Sequence, residues 1–163
     1  MDFTSTADIE AYIVSRISAG IQMAQEQFYQ VIDRFVKVYY AEYSPIVYER
    51  TYQLYRSLVK SEIRSTGTGV EAEVYFDADQ LDYAIKTFHR NGGLNPFTGV
   101  ISPTGAFANS GWSEEKTLEA AAHGSHGGKV GGTAIWDEPL AILHAQGYEI
   151  LKRMLREAGL PIK

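Results

Sequence analysis

The N-terminal quarter of the chain carries an apolar stripe that constrains the fold more than any other feature. Apolar residues recur there in steps of three and four, at Ile9, Ile13, Ile17, Ile21, Ala24, Phe28, Val31, Phe35 and Val38. This spacing predicts one amphipathic helix over about residues 6 to 42. Ser5 and Asp8 fit a capping box at its start, and Pro45, which disfavours helical geometry at Ser44, marks its end.

A helix of that length exceeds the width of a small domain. At ~1.5 Å per residue it spans more than about 50 Å. Part of the apolar stripe therefore needs cover from outside the domain's own core. A neighbouring copy of the chain is the simplest candidate for that cover.

Composition excludes several classes of function. The chain has 163 residues, 45% of them hydrophobic and 21% charged, which suits a soluble globular protein. The absence of cysteine excludes disulfides, thiol catalysis and thiolate metal sites. No apolar stretch approaches the ~18 residues that would span a bilayer, and the N-terminus lacks the pattern of a signal peptide. We therefore expect a protein without membrane contact that is made and kept in a cytoplasm.

The net charge of −5 argues against nucleic-acid binding as the main activity. Tight binding to DNA normally needs a basic face that releases counterions, whereas acidic and basic residues are interspersed along this chain. A mildly acidic surface suits a passage through which DNA moves without specific binding.

Beyond Pro45 the sequence predicts a second helix and then a hairpin. Tyr48, Tyr52 and Tyr55 follow the i, i+4, i+7 spacing of one helical face, in a helix that ends near Ser57. Apolar and polar residues then alternate over 59–65 and again over 70–76, on either side of a glycine-containing turn. Two such runs predict a β-hairpin with one buried face.

Residues 78–133 lose regular periodicity and are rich in turn sequences. From His123 to Gly132 the chain has five glycines in ten residues, which is too much backbone freedom for a regular element unless a partner orders it. We expect a long loop or arm over 78–133, and loops of this length tend to be functional arms or disordered segments. Its candidate contact residues are His123, His126 and Lys129.

The last element is a second amphipathic helix. Asp137 is its expected N-cap, with Pro139 in the first turn, and Gly159 followed by Pro161 stops it. Its apolar stripe contains Leu140, Leu143, Ile150, Leu151, Met154 and Leu155. The order of elements predicts an α+β fold with a long N-terminal helix, a second short helix, a small mostly antiparallel sheet with a β-hairpin, and a C-terminal helix packed on the sheet. We expect a single domain over 1–163, with an N-terminal helical extension (1–44).

Tyrosines crowd the junction of the first two helices. Six of the chain's eleven tyrosines fall between positions 39 and 55, where they alternate with charged residues. A tyrosine ring with a polar tip suits surfaces that are wet in a monomer and buried against a partner. The predicted oligomer interface therefore contains Tyr39, Tyr40, Tyr43, Tyr48, Arg50, Tyr52 and Tyr55. The same run is equally compatible with a helix pair that uses tyrosine as half-buried core.

Candidate catalytic and metal-binding residues are few. His123 and His126 could begin a zinc site completed by Asp137, His89 or His144, but a glycine-rich loop holds metal ligands poorly. The chain has no G-x-S-x-G elbow, no dinucleotide fingerprint, no H-E-x-x-H helix and no intact phosphate loop. The residues favour a protein without an enzymatic role, without a cofactor and without a metal.

The stretch YYAEYSPIVYERTYQLYRSL, the hairpin after it and the final helix resemble the head-tail connector proteins of long-tailed bacteriophages. In this broad family of neck and tail-completion proteins, a long N-terminal helix leads to a T-G-x-L-x-x-S-like helix and a hairpin. Thr51, Leu54 and Ser57 match that motif, and Tyr52 stands where the family commonly has glycine. The family's glutamate-phenylalanine-glycine segment after the hairpin has no counterpart in this chain.

The resemblance implies a structural role in the virion. Such proteins are non-enzymatic ring subunits, often six to a ring, that join a DNA-filled head to a tail tube. It implies that this chain forms a homo-oligomeric ring in the neck or tail of a virion and assembles in the host cytoplasm. The ring would contact head-side connector and tail-side proteins. The residue 90–133 region, with His123, His126 and Lys129, would be an assembly arm that reaches a neighbouring ring or subunit. DNA would pass through the lumen without specific binding.

Two other functions remain open at this stage. One is a small metal-dependent hydrolase that uses His123, His126 and an acidic partner. The other is a host-directed interaction module whose tyrosine face binds a bacterial target.

Overall fold

A computed structural model of the chain describes residues 4–42, 52–81, 118–119, 121–123 and 132–163. The elements along the chain are α1 (Thr6–Glu42), α2 (Gln53–Ser57), β1 (Leu58–Lys60), β2 (Arg64–Thr66), β3 (Gly69–Glu71), β4 (Val74–Phe76), a 3₁₀ turn (Ala78–Gln80) and α3 (Asp137–Glu157). The predicted α+β fold class is confirmed. The bounds of α1 and the end of α2 also agree with the sequence spacing.

Backbone packing divides the chain into two compact units. The first contains Met1–Val31, Val59–Tyr75 and Leu140–Lys163, and the second contains Ile32–Leu58 and Phe76–Pro139. The predicted single domain with an N-terminal extension stays a prediction. Among the described residues, none of the helices combines the length and apolarity that a membrane crossing would require.

Local side-chain bonds fix the start of α1. The Ser5 hydroxyl accepts a hydrogen bond from the Asp8 amide at 3.2 Å, as the capping box predicts. The Asp8 carboxylate in turn accepts bonds from both the amide and the hydroxyl of Thr4, at 3.2 and 2.6 Å. These bonds lower the pKa of Asp8, the Thr4 hydroxyl contributing most and the Ser5 side chain next.

In the first unit, α1 and α3 pack as an antiparallel pair with close backbone approach. A Cβ placed on Gly20 would lie 2.6 Å from Leu155 Cδ2 and 3.0 Å from Leu155 Cα. A Cβ on Gly147 would lie 3.5 Å from Phe28 Cζ. Because one contact moves forward along α1 as the other moves back along α3, the two helices run in opposite directions. The described contacts of α3 in this unit are therefore with α1. That α3 packs on the sheet stays a prediction.

The hairpin in the first unit is interrupted, and a glutamine from α1 fills the interruption. β2 and β3 pair antiparallel with Ser65 opposite Val70 around a two-residue turn, and β1 pairs with β4 at the base. Between the two ladders the buried Gln25 donates from Nε2 to the carbonyls of Ser61 and Glu73, at 2.9 and 2.8 Å. The hairpin prediction is confirmed. The face predicted to be buried is half buried along much of its length, but all three residues of β2 at the tip are exposed.

In the second unit, the core forms around the C-terminal part of α1. Ile32, Val36 and Ile135 are almost completely buried. α2 packs against the 3₁₀ turn, and Asp77 caps that turn by accepting from the Asp79 amide at 3.1 Å.

The two ends of α3 differ in how well the sequence predicted them. Gly159 adopts a left-handed φ of 93°, and the bonds from Gly159 N to Arg156 O and from Leu160 N to Leu155 O form a Schellman motif, as the glycine stop predicts. At the start, however, Asp137 is the first helical residue rather than the cap. Glu138 instead accepts from the Ala134 amide at 3.3 Å.

Candidate assembly surface

Four of the predicted interface tyrosines come together at the C-terminal end of α1. Tyr39 and Tyr40 lie on the last turns of α1, Tyr52 immediately precedes α2, and Tyr55 lies within it. We call these four residues the tyrosine cluster. Tyr43, Tyr48 and Arg50 lie outside the described residues.

Tyr40 is the centre of the tyrosine cluster. Its ring stacks on Tyr52, with centroids 5.2 Å apart and planes 25° apart. It meets Tyr55 edge-to-face at 6.4 Å and Tyr39 edge-to-face at 5.8 Å. Offset-stacked and T-shaped pairs are the favourable aromatic geometries. The cluster therefore holds α2 against the end of α1.

Burial varies strongly within the tyrosine cluster. Tyr39 is 8% exposed and belongs to the core of the second unit, whereas Tyr52 is 50% exposed. Tyr40 and Tyr55 are half buried. The alternative of a half-buried tyrosine core thus describes the inner part of the cluster. The outer part leaves aromatic surface that a partner could cover.

A lysine adds positive charge beside the tyrosine cluster. Lys37 Nζ lies 2.7 Å from Asp33 Oδ2 and 6.0 Å from the centre of the Tyr55 ring. The hydrogen bond to Asp33, followed by the charge of that carboxylate, raises the pKa of Lys37. The ammonium stays charged at neutral pH and suits an acidic or aromatic partner group.

Tyr52 has a backbone conformation that its sequence context did not reveal. Its φ of 56° and ψ of 20° are left-handed, and among described residues other than glycine it alone has a positive φ. The prediction that Tyr52 shares a helical face with Tyr55 is therefore wrong, because α2 begins only at Gln53. A left-handed conformation costs an L-residue about 1–2 kcal/mol, so local packing must hold Tyr52 in place.

The two flanks of the glycine-rich run are fastened to each other. The Ile135 amide donates to the Ala121 carbonyl at 3.2 Å, and His123 Nδ1 lies 2.6 Å from Asp137 Oδ2. Thr133 donates to the Glu42 carboxylate from its amide at 3.1 Å and from its hydroxyl at 2.7 Å. The flank that contains Thr133 is thereby bonded to Glu42, the last residue of α1. His126 and Lys129 lie outside the described residues.

The histidine and aspartate predicted for a zinc site do meet, but as a pair. His123 and Asp137 are both more than half exposed. Among the described residues, no group of three histidine or acidic side chains could hold a metal ion. This hydrogen bond links Asp137, in the first turn of α3, to His123, which directly follows the helical residues 121–122.

A separate apolar surface lies at the other end of α1. Ile9, Ile13 and Val14 are 41%, 41% and 42% exposed. These residues belong to the first unit, and Ile9 and Ile13 are part of the stripe that the sequence predicted to need outside cover. The structure thus leaves the first turns of that stripe without full cover in a single chain.

The family of this chain is shown by a sequence comparison. A family model described as YomN matches residues 5–133, from the cap of α1 to the segment that binds Glu42. The chain belongs to the YomN family. This family is phage-derived, which indicates a phage origin. Comparisons with curated proteins and with solved structures found no match. Helix α3 lies beyond the part matched by the family model.

Proposed function

We propose that this chain is a non-enzymatic subunit of a phage neck ring, of the head-tail connector or tail-completion type. The phage origin of its family supports a role in the phage life cycle. The order of a long helix, a short helix and a hairpin supports the connector type within that role. The proposal goes beyond the family assignment, which does not specify a role.

The observation that carries this proposal is the geometry of the glycine, leucine and serine positions of the short T-G-x-L-x-x-S-like motif. Thr51 lies outside the described residues. Tyr52 stands at the glycine position of that motif and adopts the left-handed conformation that glycine favours. Leu54 is 6% exposed and Ser57 is fully buried. The Ser57 hydroxyl donates to the Leu54 carbonyl at 2.8 Å. Position 52 thus has the backbone conformation that favours glycine, position 54 is buried as suits leucine, and position 57 is buried with its serine hydroxyl hydrogen-bonded.

The tyrosine cluster supports contacts between ring subunits. Its outer residue Tyr52 is half exposed, Lys37 lies beside Tyr55, and the exposed Arg56 lies next to Tyr55 in α2. Tyrosine and arginine are the side chains most enriched at the energetic centres of interfaces. A neighbouring subunit that covers Tyr52 would exclude water from a stack that is already ordered, so little side-chain entropy remains to be lost.

Deletion of the gene from its phage tests the proposal. We expect infected cells to accumulate DNA-filled heads and separate tails that fail to join, seen by negative-stain electron microscopy of the lysate. Supplying the wild-type chain from a plasmid should restore infectious particles. Intact, infectious virions that lack this chain would contradict a connector role.

A matched pair of substitutions tests the interface residues in the same assay. Tyr52→Ala should reduce the yield of joined particles, because it removes the exposed member of the stack. Tyr148→Ala is the control, since Tyr148 is 71% exposed on α3 and lies in the first unit. Equal yields for the two variants would remove Tyr52 from the proposed interface.

A further inference from the structure

The hairpin changes register at the interruption between its two ladders. On the base side of the interruption, the Ser61 amide donates to the Glu73 carbonyl at 3.0 Å, so these two residues face each other. On the tip side, Arg64 is paired with Glu71. Only one residue separates the two pairs along the second strand, whereas two residues, 62–63, separate them along the first. One extra residue on one strand of an antiparallel pair is a β-bulge, and we call 62–63 the bulge.

Two side chains supply the hydrogen bonds that a regular ladder would make at the bulge. The Ser61 hydroxyl accepts from the Glu73 amide at 2.8 Å and donates to the Glu62 carbonyl at 3.0 Å. In a regular antiparallel pair, the Ser61 carbonyl would accept from that amide. Here it accepts instead from Gln25 Nε2 at 2.9 Å, and the same nitrogen donates to the Glu73 carbonyl at 2.8 Å. Because Gln25 is 7% exposed, these two bonds are shielded from water.

The base of the hairpin is fastened to α1 beside the bulge. Lys60 Nζ lies 2.6 Å from Glu26 Oε2 and 5.0 Å from the centre of the Tyr29 ring. These contacts keep Lys60 on the face of the hairpin that meets α1. A one-residue slip of the base would turn Lys60 to the other face and break both contacts. A change of register is therefore expected on the tip side of the bulge.

The tip has a second register within reach. If the base ladder continued without the bulge, Arg64 would lie opposite Val70, around a three-residue turn at 66–68. The Ser61 carbonyl would then regain its place in the ladder. The slip would move Arg64 from the exposed face that it shares with Glu71 to the half-buried face of Val70. A long side chain can reach solvent from a half-buried face, so the two registers compete.

We propose that Gln25 is a positioning residue that selects the bulged register of the hairpin tip. Its bond to the Ser61 carbonyl exists only while that carbonyl is outside the ladder, so Gln25 stabilises the bulged register and not the other. The bulged register places Arg64 with Glu71 on the exposed face. Gln25 thereby sets which side chains the tip offers to another molecule. The inference requires no ring and is independent of the proposed function.

Pairs of cysteines distinguish the two registers, because the chain has no cysteine of its own. Ser65→Cys with Val70→Cys places two thiols directly opposite each other in the bulged register. This pair lies between hydrogen-bonded pairs, where side chains approach most closely and a disulfide fits. Arg64→Cys with Val70→Cys brings the thiols together only in the unbulged register, since residues 64 and 70 otherwise lie on opposite faces. The equilibrium fraction of each disulfide in a glutathione buffer measures its register.

Removal of the donor on Gln25 should shift this balance. Gln25→Met keeps an unbranched side chain of similar length but cannot donate. The ratio of the disulfide between 64 and 70 to that between 65 and 70 should therefore rise about tenfold, the effect expected when a shielded carbonyl loses its hydrogen bond. Gln22→Met, at an exposed position on α1, is the matched control and should leave the ratio unchanged. Comparison of the ratio between these backgrounds cancels any effect of the cysteines themselves.

Ser61 provides a second test that leaves the interior of the fold unchanged. Ser61→Ala removes the hydroxyl that bonds the Glu73 amide in the bulged register. The unbulged register does not need this hydroxyl, so the ratio should rise as it does in Gln25→Met. Ser61→Thr keeps a hydroxyl and should restore the wild-type ratio. A merely stabilising role for these side chains would lower both disulfides together and leave their ratio unchanged.

Nuclear Overhauser effects check the register without cysteines. The α-protons of Ser65 and Val70 should be in contact in the wild-type chain, because this pair lies between hydrogen-bonded pairs. In Gln25→Met, a contact between the α-protons of Arg64 and Val70 should appear. A circular dichroism melt shows whether each variant is folded.

Three outcomes would overturn the inference. The first is an unchanged ratio in folded Gln25→Met or, if that variant does not fold, in Ser61→Ala. The second is the loss of both disulfides in a variant whose core stays folded, because the tip then unfolds instead of changing register. The third is an equal rise of the ratio in Gln22→Met.

Discussion

The two ends of α1 carry the same kind of apolar stripe but bury it to very different extents. Near the start, Ile9 and Ile13 are each 41% exposed, whereas near the end Ile32 is 2% exposed and Val36 is completely buried. Both ends satisfy the same periodicity. The comparison teaches that helical spacing identifies the face that needs cover, while the cover itself depends on which other segments reach that face.

The largest expected effect compares one isoleucine from each end. Ile32→Ala should lower the free energy of unfolding by about 2–5 kcal/mol, because it leaves a cavity in a packed core. Ile13→Ala should cost about 1 kcal/mol or less, since Ile13 is 41% exposed in the single chain and its truncation leaves no enclosed cavity. Urea unfolding of the two variants measures both changes. Similar losses for the two variants would show that the start of α1 is covered after all.

A second comparison tests where cover by α3 begins. Gly20→Ala should destabilise the fold by about 1–3 kcal/mol, because the new Cβ would lie 3.0 Å from the Leu155 backbone. Gly147→Ala places its Cβ at an ordinary 3.5 Å from Phe28. This control should be stabilised by up to about 1 kcal/mol, the gain of alanine over glycine in a helix.

Thermal melts of the two glycine variants measure this difference. If Gly20→Ala were as stable as Gly147→Ala, the close approach between α1 and α3 would be looser than its distances indicate. The length of α1 that α3 protects would then need revision.

The third comparison concerns the aromatic cover at the end of α1. Tyr52→Ala and Tyr52→Gly both remove the ring that stacks on Tyr40, but only glycine is relaxed at a φ of 56°. We therefore expect Tyr52→Gly to be more stable than Tyr52→Ala by about 1 kcal/mol. The difference isolates backbone strain from the lost stacking. An alanine variant at least as stable as the glycine variant would show that Tyr52 is not strained.

These comparisons separate what the sequence could predict from what it could not. The bounds of α1 and the stop at Gly159 depend on residues close together in the chain, so spacing and capping rules were sufficient. The roles of Gln25 and Glu42 were not predictable in this way. Gln25 bonds carbonyls 36 and 48 residues away, and Glu42 bonds Thr133 across 91 residues.

The tyrosine cluster was predictable from the sequence only in part. Its composition indicated an aromatic surface, and four members do meet. The turn at Tyr52 was missed because the i, i+4, i+7 spacing of the tyrosines continues through it as though the helix were unbroken. The glycine position of the resembled motif was the available signal, since a glycine position often marks a left-handed backbone.

The smallest expected effect concerns the cap at the exposed end of α1. The hydrogen bonds from Thr4 and Ser5 lower the pKa of Asp8 below its ordinary value of 3.8. The folded state therefore favours the carboxylate. Its contribution is complete above pH 3.8 and is lost as the pH falls through the lower folded pKa. Because Asp8 is fully exposed, the loss should fray the first turn and leave the core around Ile32 intact.

Carbon-13 chemical shifts report this fraying residue by residue. Between pH 5 and pH 2, helical shifts at residues 6–9 should decrease as Asp8 is protonated, while shifts near Val36 should not follow the same titration. Asp8→Asn keeps an oxygen that can accept from Thr4 but cannot titrate, so its first turn should lose this pH dependence. An unchanged titration in Asp8→Asn would assign the fraying to another acidic group. A titration shared by Val36 would mean that the two ends of α1 unfold together, so that the exposed turns at the start depend on the buried ones at the end.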